Sequence, residues 1–155
     1  MRLVLPPDLR ADLEAALRKA GSNEIGGILM AEHVGENDFK VRSLTIQTHG
    51  GSFAAFIRNV EAFLKPLKDF FRRTNHDYVR FNYIGEWHSH PSFAPVPSGT
   101  DHRTMREIIE DPEVGANFVV LMVVKLGEDA SVIGTVTFYA PGGSCSRGEL
   151  LLDNE

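Results

Sequence analysis

The chain has 155 residues, with 16 Lys plus Arg against 21 Asp plus Glu and a net charge of −5. That length suits one domain around one core, and the mild acidity speaks against a nucleic-acid binder, which carries a basic footprint. The lone cysteine, Cys145, excludes an intrachain disulfide and suits a reduced, cytoplasmic setting, with no role for it beyond an inert thiol.

The apolar stretch Met1 to Leu5 is too short for a signal peptide, and no run approaches the roughly 18 apolar residues that span a bilayer. A soluble protein with no membrane partner is expected. Leu9, Leu13, Ala16, Leu17 and Ala20 then recur at helical spacing. Pro6 and Pro7 stand ahead of them and Gly21 follows as a stop, so the spacing predicts a first helix.

Ile25 to Ala31 is a short apolar run interrupted by Gly26 and Gly27. The turn residues Gly35-Glu36-Asn37-Asp38 follow, and then Phe39, Val41, Leu44 and Ile46. The two runs predict a strand hairpin. The glycines fit equally a close approach of another chain segment or a simple bulge. From Ser52, the residues Phe53, Phe56, Ile57, Val60, Phe63, Leu64, Leu67, Phe70 and Phe71 form one helical stripe, and Pro66 inside it should kink or split the helix. The stripe is expected to face the core, although its phenylalanines also fit a partner-binding face.

Tyr78 to Glu86 reads as a strand in which Phe81, Tyr83 and Trp87 alternate imperfectly with polar residues. A polar, proline-rich loop runs from Pro91 to Thr100, and a helix is expected from Gly99 to Glu110, stopped at Asp111-Pro112. Phe118 to Val124 and Ser131 to Tyr139 read as two more strands. The tail from Pro141 is Gly- and Ser-rich and then acidic, and is expected to be irregular and frayed. With no internal repeat and no linker, this order predicts residues 1–155 as a single domain of α/β or α+β class, a mixed sheet flanked by helices.

Chemistry concentrates in Gly85-Glu86-Trp87-His88-Ser89-His90-Pro91. Side chains two apart on a strand share a face, so His88 and His90 project together from a strand end. Two neutral imidazoles placed so can grip one zinc ion, although a lone His-x-His is more often two polar residues beside a turn. Downstream, Ser98 with Asp101 three residues on is a capping-box-like helix start. The same geometry holds the Asp101 carboxylate rigidly where it can turn back toward the strand end as a third ligand. Two histidines and one carboxylate leave a fourth tetrahedral position for a catalytic water. A carboxylate must then take a proton from that water and pass it on, and Glu24, just ahead of the Gly-rich strand, is the candidate. Glu86 is a rival of the same strand parity, placed deeper along the strand as a supporting or structural carboxylate.

Taken together, Glu24, His88-Ser89-His90-Pro91, Ser98 and Asp101 resemble the JAMM motif of the MPN (Mov34/PAD-1) metalloprotease family. That motif is an early Glu, His-x-His-Pro, and an Asp after ten intervening residues with a Ser three before it. The likeness covers most of residues 9 to 140 and is nearest to the bacterial, prokaryotic JAB-like branch. It implies an MPN/cytidine-deaminase-like mixed sheet flanked by helices. It implies that His88, His90 and Asp101 ligate one Zn2+ with a bound catalytic water, that Glu24 is general base and acid, and that Ser98 stabilises the oxyanion. It further implies cleavage of a peptide or isopeptide bond after the C-terminal Gly of a ubiquitin-like protein or its conjugates, with E1-like and E2-like enzymes as operon-encoded partners. Two other readings fit the same residues: a non-catalytic MPN-fold binding module, and a zinc hydrolase of a small sulfur-carrier adduct. Because imidazoles must be neutral to bind metal, activity is expected to fall below about pH 6.

Overall fold

The computed structural model describes residues 1–48 and 60–153. Among these residues the chain forms β1 (Arg2–Leu5), α1 (Pro7–Ala20), β2 (Gly26–Gly35), β3 (Asp38–Leu44), α2 (Val60–Arg73), β4 (Phe81–Ser89), α3 (Gly99–Glu110), β5 (Val119–Leu126), β6 (Val132–Tyr139), β7 (Cys145–Arg147) and β8 (Glu149–Leu152). The eight strands form one sheet in the order β7-β6-β5-β4-β2-β3-β1-β8. It is mixed: β1 runs parallel to both β3 and β8, and β4 parallel to β5, while the other pairs are antiparallel. This is the expected class, a mixed sheet flanked by helices.

The helices divide between the two faces. On one face, Leu13 and Leu17 of α1 pack with Leu3, Leu5, Leu29, Trp87, Met122 and Val136. On the other, Met105 and Ile109 of α3 cover Val119, Leu121 and Val123, and Phe63 and Phe70 of α2 cover Ile28 and Met30. The phenylalanine stripe is therefore a core face over its described part. Phe53, Phe56 and Ile57, which the sequence places in the same helix, lie outside the described residues. The helix is unbroken across Pro66. One lost backbone bond is offset by the apolar face that α2 buries, since packing rather than propensity holds most protein helices.

Gly21 ends α1 at φ 59° and ψ −115°, a backbone conformation that glycine adopts without a Cβ penalty, and its N–H donates to Leu17 O. No helix among the described residues is long and apolar enough to cross a membrane.

Three features differ from expectation. The strand expected over Tyr78 to Glu86 starts at Phe81 and runs on to Ser89. Asp77 is the reason: its Oδ1 accepts from Arg80 N–H and its carbonyl from Phe81 N–H, which holds the preceding residues in a turn. The imperfect alternation within that strand comes from a bulge. Leu29 pairs with Gly85 but Met30 pairs with Tyr83, so Ile84 is the extra residue and the parity flips there. Phe81 and Tyr83 thus face α2 and α3, whereas Trp87 faces α1.

The third difference is at the chain ends. The N-terminal residues form β1, with Leu3 and Leu5 fully buried, and the tail expected to be irregular from Pro141 contributes β7 and β8. Gly142 and Gly143, at φ 86° and 82°, turn β6 into β7. Gly148 then links β7 to β8 with its N–H on Val136 O, and Glu149 N–H donates to Met1 O. The two edges of the sheet meet there. A Cβ at Gly148 would lie 2.2 Å from the Phe138 ring, so only glycine closes this seam.

Candidate metal centre

The site stands where β4 ends. His88 lies between Gly26 of β2 and Val123 of β5 in the sheet register. A Cβ at Gly26 would come 2.7 Å from Trp87 O and 3.2 Å from His88 Cβ. The close approach that the two glycines allowed as one reading is therefore real, and at Gly26 the segment that approaches is the histidine-bearing strand itself. At Gly27 it is Thr45, whose carbonyl oxygen would lie 2.0 Å from an added Cβ and accepts the Trp87 indole N–H.

His88 and His90 emerge on one face, as period two requires, with their Nε2 atoms 2.9 Å apart. Asp101 Oδ2 lies 3.3 Å from His88 Nε2 and 3.4 Å from His90 Nε2. All three side chains are buried, and their donor atoms lie within 4.8 Å of one another. His90 Nδ1 sits 3.1 Å from Ala94 O. A carbonyl can only accept, so the ring proton is on Nδ1 and the Nε2 lone pair is turned into the cluster. The loop that carries Ala94 is tied to β6 by Thr135, whose hydroxyl donates to Pro95 O at 2.6 Å.

Asp101 is held by the start of α3. Ser98 Oγ accepts from Asp101 N–H at 3.1 Å, and Asp101 Oδ2 accepts from Ser98 N–H at 2.7 Å, a complete capping box. The oxygen that caps the helix is the one that faces both histidines, so the capping and ligand readings of Asp101 are compatible. Burial pushes its carboxyl up, but bonding to His88, the charge of that ring, and the Ser98 amide and hydroxyl outweigh this and hold it at about 2. The carboxylate is therefore an anion at any physiological pH.

These residues fit a small divalent cation. Donors bound to one zinc at about 2.0–2.1 Å in a tetrahedron stand roughly 3.3–3.4 Å apart. The two carboxylate–imidazole separations already have that value. The set, two imidazoles and a carboxylate with one position left open, is the donor chemistry of catalytic zinc sites.

Glu24 is half-buried and lines the same groove as His88, His90, Phe93, Ser98 and Asp101. The register that pairs Gly26 with His88 continues through two bonds between Ile25 and Ser89 and sets Glu24 across from His90. Directly opposed residues share a face, so Glu24 arrives on the side of the imidazoles. Ser98 is exposed at the groove wall. Its oxygen accepts from Asp101, which leaves the hydroxyl proton to be donated.

Glu86 is not among the groove residues. It is buried two residues back, where Tyr83 OH donates to its Oε1 at 2.5 Å. Burial raises its carboxyl to about 7, with the Tyr83 bond opposing. The other described histidines are engaged elsewhere: His33 stacks on Phe39, His76 meets Tyr78 OH and His102 meets Tyr139 OH. His49 lies outside the described residues.

Sequence reasoning did not find Ser89, Ala94 O or Thr135. The first belongs to the quoted motif but points to the opposite sheet face. The second is a backbone atom, and the third is 40 residues from its partner in sequence.

Residues 6–136 match the family described as prokaryotic homologs of the JAB domain. A CD-NTase/cGAS isopeptidase of Enterobacter hormaechei is 30% identical over 128 residues, 81% of this chain and 67% of that protein. A probable metalloprotease of Sinorhizobium fredii is 32% identical over 126 residues, 76% of this chain and 73% of that protein. The solution structure of a protein from Desulfitobacterium hafniense covers 99% of this chain and 94% of its own, with a TM-score of 0.66 at 19% identity, a likeness of fold.

Proposed function

Since this chain belongs to the prokaryotic homologs of the JAB domain, we propose that it is a zinc-dependent isopeptidase or peptidase that cleaves after the C-terminal Gly of ubiquitin-like modifiers. The observation that carries this reading is the convergence of His88, His90 and Asp101 on one point, with Glu24 and Ser98 on the walls of the same groove. Relatives named as an isopeptidase and a probable metalloprotease support the reaction class. The first of these names fits an isopeptide-linked conjugate as substrate, and the reading adds a ubiquitin-like modifier, E1-like and E2-like enzymes as partners and the cytoplasm as the setting. Residues 1–155 act in this reading as one JAMM/MPN domain.

His88, His90 and Asp101 would hold the ion. The chemistry zinc supplies when bound is Lewis acidity, which activates water and polarises a carbonyl. The chain's own groups divide the remaining work. Glu24 accepts the proton of the attacking water and returns it to the leaving amine. The Ser98 hydroxyl donates to the oxygen that becomes negative at the tetrahedral stage, and the Asp101 amide bonded to its oxygen aims it. The Ala94 carbonyl keeps the His90 tautomer that presents Nε2.

The test is cleavage of a ubiquitin-like protein fused at its C-terminal Gly to a reporter, with metal analysis of the same preparation. Stoichiometric zinc and cleavage that Glu24→Ala abolishes are expected. Equal cleavage by wild type and Glu24→Ala sinks the mechanism. A chain that binds no zinc and still captures modifier is a binding module instead, and turnover of sulfur-carrier adducts alone moves the substrate to that class.

A further inference from the structure

Ile25 and Ser89 face each other where β2 and β4 part, on the sheet face turned away from the groove. Ser89 N–H donates to Ile25 O at 2.8 Å. In the other direction Ile25 N–H donates to the hydroxyl Ser89 Oγ, at 3.0 Å. Both residues are 1% exposed, so no water replaces either bond. One residue on, the β4 main chain has turned to the next strand, with His90 N–H on Val124 O at 2.9 Å. The Ser89 hydroxyl thus closes the last rung of the β2–β4 ladder. Glu24 precedes one end of that rung, and His88 and His90 flank the other.

We propose that Ser89 is a positioning residue: its hydroxyl fixes the chain at Ile25 and so sets the Glu24 carboxylate against the histidine pair. The inference rests on the assignment of Glu24 as proton carrier. Glu24 lies in no helix or strand, and ahead of it Asn23 is tied to Ala20, back in α1. The rung at Ile25 therefore decides where Glu24 stands relative to β4. Without the hydroxyl, a buried N–H loses its acceptor, a cost the segment relieves by shifting. A displacement of about 1 Å is enough to lower a rate about 100-fold.

The experiment compares Ser89→Ala, Ser89→Cys and Ser89→Thr in the zinc-loaded protein. Cysteine keeps the volume but is a weak acceptor, and threonine keeps the hydroxyl. The probes are a peptide amide ending in Gly-Gly and a ubiquitin-like protein fused at its C-terminal Gly to a reporter. We expect Ala and Cys to lower kcat about 10- to 100-fold, with KM and zinc content unchanged, and Thr to retain most of it. The inference is overturned by wild-type kcat in the Ala or Cys variant. Loss of zinc in those two also overturns it, since Ser89 then serves the ligands. So does a Thr variant that keeps its unfolding temperature yet is as slow as Ala. Full activity of Glu24→Gln, or no cleavage of either probe by wild type, defeats the proposed function itself. An inactive Glu24→Gln beside a fully active Ser89→Ala defeats only the role of Ser89.

Discussion

β2 and β4 carry a buried carboxylate cluster near each end, and the two are satisfied differently. At the far end Glu32, 3% exposed, is gripped by two guanidiniums. Arg42 Nε donates to one oxygen at 2.6 Å and Arg80 Nε to the other at 2.7 Å, and each arginine adds a second nitrogen. The anion finds its cations within the chain. At the groove end Asp101 is just as buried, but its neighbours are His88 and His90, which bring lone pairs as readily as protons. The second arrangement is a donor set that could hold a metal ion. Buried charge matched by the chain is architecture, and buried charge that needs a partner marks a site.

The largest effect comes from breaking the groove end. Chelation, or His90→Ala, is expected to remove the metal and take hydrolysis to background, while circular dichroism shows the helices and sheet retained. The core clusters around α1, α2 and α3 use none of the three ligands except through the first turn of α3. Global unfolding on chelation would mean that the cluster is architectural after all.

A smaller loss is expected at the loop between the ligands. Thr135→Val removes the bond to Pro95 O, and with it the anchor that holds Ala94 against His90. Outer contacts of this kind are worth about 10- to 100-fold in metal affinity or activity. Zinc titration should show the weakening, and an affinity equal to that of wild type would show that the loop holds itself.

How much of this was legible follows the same division. His88, His90 and Asp101 are readable because strand period and capping spacing are local rules, and each holds in the structure. Period two fails at the Ile84 bulge, four residues before His88, and so spacing alone does not reveal the Tyr83–Glu86 contact. β1 and β8 pair with each other from opposite ends of the chain, and no window a few residues wide contains both. The Glu32 cluster is hidden in the same way. Arg42 and Arg80 stand 10 and 48 residues away, and only the folded sheet brings them to one carboxylate. Glu24 stands ahead of its strand, in no helix or strand of its own. It gains meaning from register, which puts it opposite His90.

At the far end, Glu32→Gln keeps the shape and removes the charge. Losing a hydrogen-bonded charge at a buried position costs about 1–3 kcal/mol, and the arginines, both partly exposed, keep solvent as a partner. Denaturant unfolding should show that loss while kcat and KM stay at wild-type values. A fall in activity with unchanged stability would tie this end to the chemistry and erase the contrast.

The smallest effect is the pH dependence of that same gap, and its sign is fixed. Burial pushes the Glu32 carboxyl up, but the bonds and charges of Arg42 and Arg80 outweigh it, so its folded value lies below the ordinary 4.5. A group with a depressed folded value binds fewer protons folded than unfolded, so its stabilisation is present above the ordinary value and lost as pH falls through the folded one. The difference in unfolding free energy between wild type and Glu32→Gln should therefore be flat from about pH 7 to about pH 5 and shrink below that. Taking the difference cancels Asp101, whose own depressed value is the same in both proteins. In wild type stripped of metal, Asp101 keeps contributing until the pH approaches about 2. A gap that grew on acidification would mean that Glu32 is protonated in the fold, and the arginine clamp would then be no counterpart to the groove.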